Sequence, residues 1–169
     1  MKEGVVYVVA CAAPAALRIR TLIDKVHDRG FDACLICTPT AARWIEADVE
    51  ALAELTGYPV RSTYKLPTEP DVLPPADAML VAPLTFNTLN KWAAGISDTL
   101  ALGLINEAIG KRIPIITVPY INDALAAHPA VAPNIGSLRA AGVTVLDGDR
   151  RHAAEAYLWD LLLDVLARA

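Results

Sequence analysis

The sequence has no basic cluster and no long apolar run, and each absence removes a class of function. The net charge is −4, with 15 lysines and arginines spread along 169 residues. A chain without a concentrated positive face is not expected to bind nucleic acid or an anionic membrane surface. No apolar stretch approaches the roughly 18 residues that would span a bilayer. Met1-Lys2 followed by Val5-Val6-Tyr7-Val8-Val9-Ala10-Cys11 looks superficially like a secretory leader. Its apolar core of about six residues is shorter than the roughly seven to fifteen a signal needs, and the β-branched run suits a buried strand. The expectation is a cytoplasmic protein.

Cysteine is scarce, at three residues, so no disulfide framework is expected. Cys34 and Cys37 have redox-motif spacing. However, they lie in Ala33-Cys34-Leu35-Ile36-Cys37, which reads as a strand, and strand residues three apart face opposite ways. They are expected to be buried apolar thiols. There is no His/Cys group with metal-ligand spacing, and no Gly-x-Ser-x-Gly or phosphate-loop motif.

What is present is apolar: 54% hydrophobic against 20% charged residues, a balance that excludes disorder and suggests extensive burial, subunit contacts included. The length fits one domain, residues 1–169. Strand and helix patterns alternate. Strands are predicted at 5–10, 33–37, 78–81, 113–118 and 143–146, with a weak edge strand at 61–64. Helices are predicted at 15–29, 40–56, from 88 onward, 98–109 (capped by Asp98, stopped by Gly110), 129–141 and 151–167. Gly30, Gly57 and Gly142 close three of them. Four prolines within 66–75 make that stretch a loop. This alternation predicts an α/β fold, a doubly wound parallel sheet of Rossmann- or flavodoxin-like three-layer form.

In such a sheet, ligands bind at the carboxyl ends of the strands. Four strand-end segments carry suitable chemistry. Cys11-Ala12-Ala13-Pro14 leads into the first helix, where free N–H groups and the helix dipole favour an anion. Thr38-Pro39-Thr40 follows the second strand with two hydroxyls, which would also serve to cap a helix. Pro83-Leu84-Thr85-Phe86-Asn87-Thr88 follows the Ala78–Val81 run with hydroxyl and amide groups in a small loop. Pro119-Tyr120-Ile121-Asn122-Asp123-Ala124-Leu125 follows 113–118, with Asn122 a further potential helix cap.

The segment 82–100 closely resembles the Pro-Ala-Ser-Ala-Asn-Thr loop of the homo-oligomeric flavin-containing cysteine decarboxylases. That family includes phosphopantothenoylcysteine decarboxylase and the peptidyl-cysteine decarboxylases of lantibiotic synthesis. The match continues through Gly95-Ile96-Ser97-Asp98 and into residues 114–145. In the family, FMN oxidises a cysteine thiol and the resulting thioaldehyde loses carbon dioxide. The resemblance implies FMN as cofactor, held by Ala12 and Ala13 at the phosphate turn, by Thr38 and Thr40, and by Pro83, Thr85, Phe86, Asn87 and Thr88. It implies a cysteine-bearing substrate, either a peptide C-terminus or a pantothenoylcysteine-like small molecule. Its carboxylate would be held by Asn122. A homotrimer, or a multiple of trimers, is also implied.

The chain departs from this pattern in several places. Ala12 and Ala13 replace a glycine and a serine, and Phe86 replaces an alanine, where its bulk would stack on the flavin or narrow the substrate side. Ile121 and Leu125 replace two methionines. Glu69 stands at the place of the family's catalytic histidine, as a candidate substitute base. Of the histidines, His27 and His152 fall on helix surfaces, and His128 is near Asn122 in sequence. The run Leu146-Asp147-Gly148-Asp149-Arg150 leads straight into the last helix, where relatives insert a substrate clamp. These departures leave an alternative open: a flavin-binding regulatory or partner protein, or an FMN oxidoreductase acting on another substrate.

Overall fold

The computed structural model describes residues 3–147 and 155–168. Five strands, β1 (Val5–Ala10), β2 (Asp32–Cys37), β3 (Ala78–Leu84), β4 (Ile115–Pro119) and β5 (Thr144–Val145), form one sheet in the order β2-β1-β3-β4-β5. Every pairing is parallel, and Val8 sits between Leu35 and Leu80. The helices are α1 (Ile19–Asp28), α2 (Pro39–Trp44), α3 (Val49–Thr56), α4 (Phe86–Ala93), α5 (Leu100–Lys111), α6 (Asp123–Ala126), α7 (Val131–Ala140) and α8 (Glu155–Leu166). This is the doubly wound, flavodoxin-like arrangement. No described helix is long and apolar enough to cross a membrane.

The pleat of β1 divides the interior in two. Val6, Val8 and Ala10 pack with Leu35, Cys37, Leu80, α1 and the Trp159 and Leu163 face of α8. Tyr7, Val9 and Cys11 pack with Ile36, Met79, Val81 and helices α4, α5 and α7. Strands buried on both faces read as continuous apolar runs, and this one does. Cys34 and Cys37 fall in different clusters, as the strand period requires. Burial pushes both thiols up to about 12.

Several boundaries differ from the sequence-based expectation. Residues 61–64 form no strand: Arg61 alone bridges Ile36, accepting the N–H of Cys37 at 2.8 Å and donating to Leu35 at 3.1 Å. The prolines beyond it leave no continuous set of donors for a ladder. The first helix opens as a 3₁₀ turn, Pro14–Arg18, before α1. Residues 40–56 break at Ile45, where ψ is 15°, giving α2, a short 3₁₀ turn and α3. Strand β3 runs three residues further than expected, to Leu84. Helix α5 is capped by Thr99 rather than Asp98, whose carboxylate pairs with Lys91 at 2.6 Å. It also continues past Gly110 and stops at Arg112, which takes φ 58°. The expected last helix, 151–167, is described from Glu155; residues 148–154, His152 among them, lie outside the described residues.

Residues 61–77 cross the molecule as a strap pinned at both ends. Near its start, the Tyr64 hydroxyl donates to the Ser97 carbonyl at 3.1 Å. Near its end, Tyr7 reaches out of β1 to donate to the Pro74 carbonyl at 2.7 Å, and Asp77 accepts the Val5 N–H at 2.7 Å. Burial, reinforced by Cys34, pushes the Tyr7 phenol up to about 12.

Candidate functional site

The chain reverses direction across the sheet between β1 and β3, so their connections leave on opposite faces and open a crevice at the strand ends. Two of the predicted segments flank that crevice. The backbone ties them together: the Cys11 N–H donates to the Pro83 carbonyl at 3.1 Å. Pro83 lies inside buried β3, so this carbonyl is its polar contribution. Ala13 is buried and extended, with its N–H donating to the Cys11 carbonyl at 2.9 Å. Ala12 and Ala13 carry no polar side chain, so only main-chain groups of this turn can meet a ligand.

Thr85 caps α4. Its hydroxyl accepts the Thr88 N–H at 3.4 Å and donates to the Thr88 hydroxyl at 3.2 Å. Thr88 is buried, and the Cys11 thiol sits against the same pair. Burial pushes that thiol up, and hydrogen bonds with Thr88 and Thr85 oppose the shift. Cys11 is therefore part of a buried polar knot under the crevice. Its position directly after β1, in the same cluster as Tyr7 and Val9, was the available signal.

The neighbouring strand ends are joined to this knot. Thr38 donates its N–H to the Ala10 carbonyl at 3.0 Å and caps α2 through the Ala41 N–H at 3.4 Å. Thr40 is exposed, with its hydroxyl accepting from Arg43 at 3.4 Å. Tyr120 donates its N–H to the Leu84 carbonyl at 2.8 Å, which holds the loop after β4 beside the loop after β3. Asn122 is exposed and caps α6: its Oδ1 accepts the Leu125 N–H at 2.9 Å, so its side-chain NH₂ is the group it presents. Asn87 is also exposed, and Phe86 is half-buried with its ring against His128. A cavity of about 220 Å³ lies beyond β4, lined by Pro119, Ile121 and Ala126 with Val131, Ile135 and Leu146.

Glu69 is elsewhere in the fold. It is exposed in the strap, in a tight turn where its carboxylate accepts the Leu66 N–H at 2.7 Å and its own N–H donates to the Leu66 carbonyl at 3.0 Å. It lines an open groove with Arg61, Tyr64 and Lys65, not the cavity beside Ile121. Sequence reasoning also missed the clamp between α4 and α7, in which Asn134 donates to Asn90 at 2.7 Å. Two amides 44 positions apart carry no local pattern that would reveal such a pair.

The family model described as Flavoprotein matches residues 1–167. The chain belongs to that family. Among curated relatives, mouse (Mus musculus) phosphopantothenoylcysteine decarboxylase is 31% identical over 133 residues, which is 76% of this chain and 65% of the mouse protein. The chain thus spans just under two thirds of that relative's length. Among solved structures, the FMN-dependent cysteine decarboxylase TvaF from thioviridamide biosynthesis superposes with a TM-score of 0.75 at 22% identity, covering 98% of this chain and 99% of the other. The peptidyl-cysteine decarboxylase EpiD gives 0.71 at 23% identity, covering 90% of each chain. At these identities the likeness establishes the shared flavodoxin-like fold.

Proposed function

We propose that the chain is a cytoplasmic FMN protein, one domain over residues 1–169, that oxidatively decarboxylates a cysteine-bearing substrate. It would work as a homotrimer or a multiple of trimers. The observation that carries this reading is the convergence of the Cys11–Ala13 turn, the Thr85–Thr88 pair and the Thr38 cap at the β1/β3 crevice. The fit is chemical. Alanines carry only a methyl group each and leave main-chain groups within reach of a phosphate, and the part-buried Thr85–Thr88 hydroxyl pair supplies donors and acceptors beside it. Ala12, Ala13, Thr38 and Thr40 would hold the phosphate and ribityl end, with Pro83, Thr85, Phe86, Asn87 and Thr88 beside the ring.

When bound, FMN supplies a two-electron acceptor for thiol oxidation. The chain's own residues orient the substrate. Asn122 keeps its Oδ1 on the Leu125 N–H and turns its NH₂ toward the substrate carboxylate. An amide donor binds that anion without competing for its charge, and the cap fixes its direction. Glu69 remains the candidate base by resemblance.

The test is to purify the chain, titrate it with FMN by absorbance, and incubate the yellow protein with cysteine-terminal peptides and small cysteine derivatives. Mass spectrometry should show product lighter by carbon dioxide and two hydrogens. Yellow protein that leaves every such substrate intact favours the alternative, a flavin-binding partner or an oxidoreductase on another substrate. The strap-bound Glu69 in place of a histidine is the observation on that side.

A further inference from the structure

The loops after β3 and β4 meet through a pair of rings. Phe86, the first residue of α4, lies 5.4 Å from His128, centroid to centroid, at an interplanar angle of 75°. That is an edge-to-face contact. His128 lies two residues beyond the end of α6 and is held on several sides. Its Nδ1 accepts the Ala130 N–H at 3.1 Å, its N–H donates to the Leu125 carbonyl at 3.0 Å, and its carbonyl accepts from Val131 at 3.0 Å. Swinging the imidazole away breaks the Nδ1 bond. Phe86 packs on the same apolar cluster as Ile121, and the Asn134–Asn90 bond fixes α7 against α4. Neither ring is therefore on a freely moving support.

We propose that the Phe86–His128 pair is a size gate: it bridges the flavin loop and the Asn122 loop and admits small cysteine derivatives while excluding cysteine-terminal peptides. This inference rests on the functional reading above. The two loops it joins are those assigned to the flavin ring and to the substrate carboxylate, so a bridge between them limits what extends outward from a cysteine held there. A side chain as small as alanine at position 86 would remove the ring-to-ring bridge and leave the loops joined only by the Tyr120–Leu84 backbone bond at their base. The pair acts by exclusion, so its signature is a changed preference among substrates.

The experiment uses FMN-loaded wild-type protein, Phe86→Ala, Phe86→Leu, His128→Ala and the double Phe86→Ala/His128→Ala. Each is assayed for kcat/KM on an N-acylated cysteine and on a pentapeptide ending in cysteine. Dissociation constants for both come from the flavin absorbance change on titration. Wild type should favour the small substrate. Each alanine variant should raise the peptide-to-small ratio about tenfold, with Phe86→Leu intermediate. The double variant should add little beyond the larger single effect, because the two rings act together. A wild type that prefers the pentapeptide, or a ratio unchanged in both single variants, overturns the gate. If the yellow protein turns over neither compound, the ratio of dissociation constants decides in the same way. Failure to take up FMN is a separate result: it removes the functional reading, and the gate with it.

Discussion

Raising the pH should destabilise this fold before its lysines are neutralised, and the buried thiols set the size of the effect. Cys34 and Cys37 are shifted from 9.0 to about 12 by burial. Between those limits the unfolded chain loses these protons while the folded chain keeps them. The unfolded state then binds fewer protons, so stability falls as pH rises through about 9 to about 12 and is unaffected below. At pH 10 an unfolded thiol is ionised about ten to one, which favours unfolding by about 1.4 kcal/mol for each cysteine, or about 3 kcal/mol for the two. Tyr7, raised from 10.0 to about 12, adds in the same direction. The assay is urea unfolding under reducing conditions at pH 8 and pH 10, for the wild type and for Cys34→Ala/Cys37→Ala. The double variant starts less stable because it lacks two buried sulfurs. It should nevertheless lose about 3 kcal/mol less than the wild type between the two pH values. Cys11 and the lysines are common to both proteins and cancel, and so does the part of the Tyr7 shift that comes from burial, its largest cause. Equal losses would refute the argument that these thiols are held neutral by the interior.

Two further outcomes follow from local geometry. Asn122→Asp keeps the oxygen that caps α6 but replaces the NH₂ donor with negative charge. FMN binding and the unfolding midpoint should therefore hold, while affinity for a cysteine carboxylate falls at least tenfold. Gly103→Ala places a methyl group on the Tyr64 hydroxyl. Alanine's helix propensity, about 1 kcal/mol better than glycine's, offsets the lost exposed hydrogen bond. The midpoint should then change little while limited proteolysis cuts faster within 62–75; a variant whose strap resists cleavage like wild type would contradict the pinning role of Tyr64.

The layered fold was legible because burial on both faces writes itself as apolar runs such as Val5–Ala10, punctuated by helix-length segments. Errors collected where tertiary contacts outweigh local pattern. Arg61 pairs once with Ile36 and then leaves the sheet, although 61–64 has β-forming residues. Asp98 has the composition of a cap, but Lys91 captures its carboxylate and Thr99 takes the role. At the crevice, Thr85 and Thr38 were readable as strand-end hydroxyls, and both cap the helices that follow. The Cys11 contact with Thr85 and Thr88 was not, because it depends on β1 and β3 lying side by side. The same holds for Phe86 and His128, whose contact joins loops after two different strands.

The backbone bond of Arg61 to β2 has a consequence for how copies of this chain would meet in the proposed homotrimer. It covers part of one flank of the sheet, while the opposite flank ends in β5, only two residues long. Among the described residues, neither border offers a long row of open amides on which a neighbour could add a strand. In the proposed homotrimer, contacts between copies would therefore fall to side chains on helices and loops, and Leu17 and Trp44 are exposed apolar side chains there. An assembly built that way would exchange subunits without unravelling its β-structure.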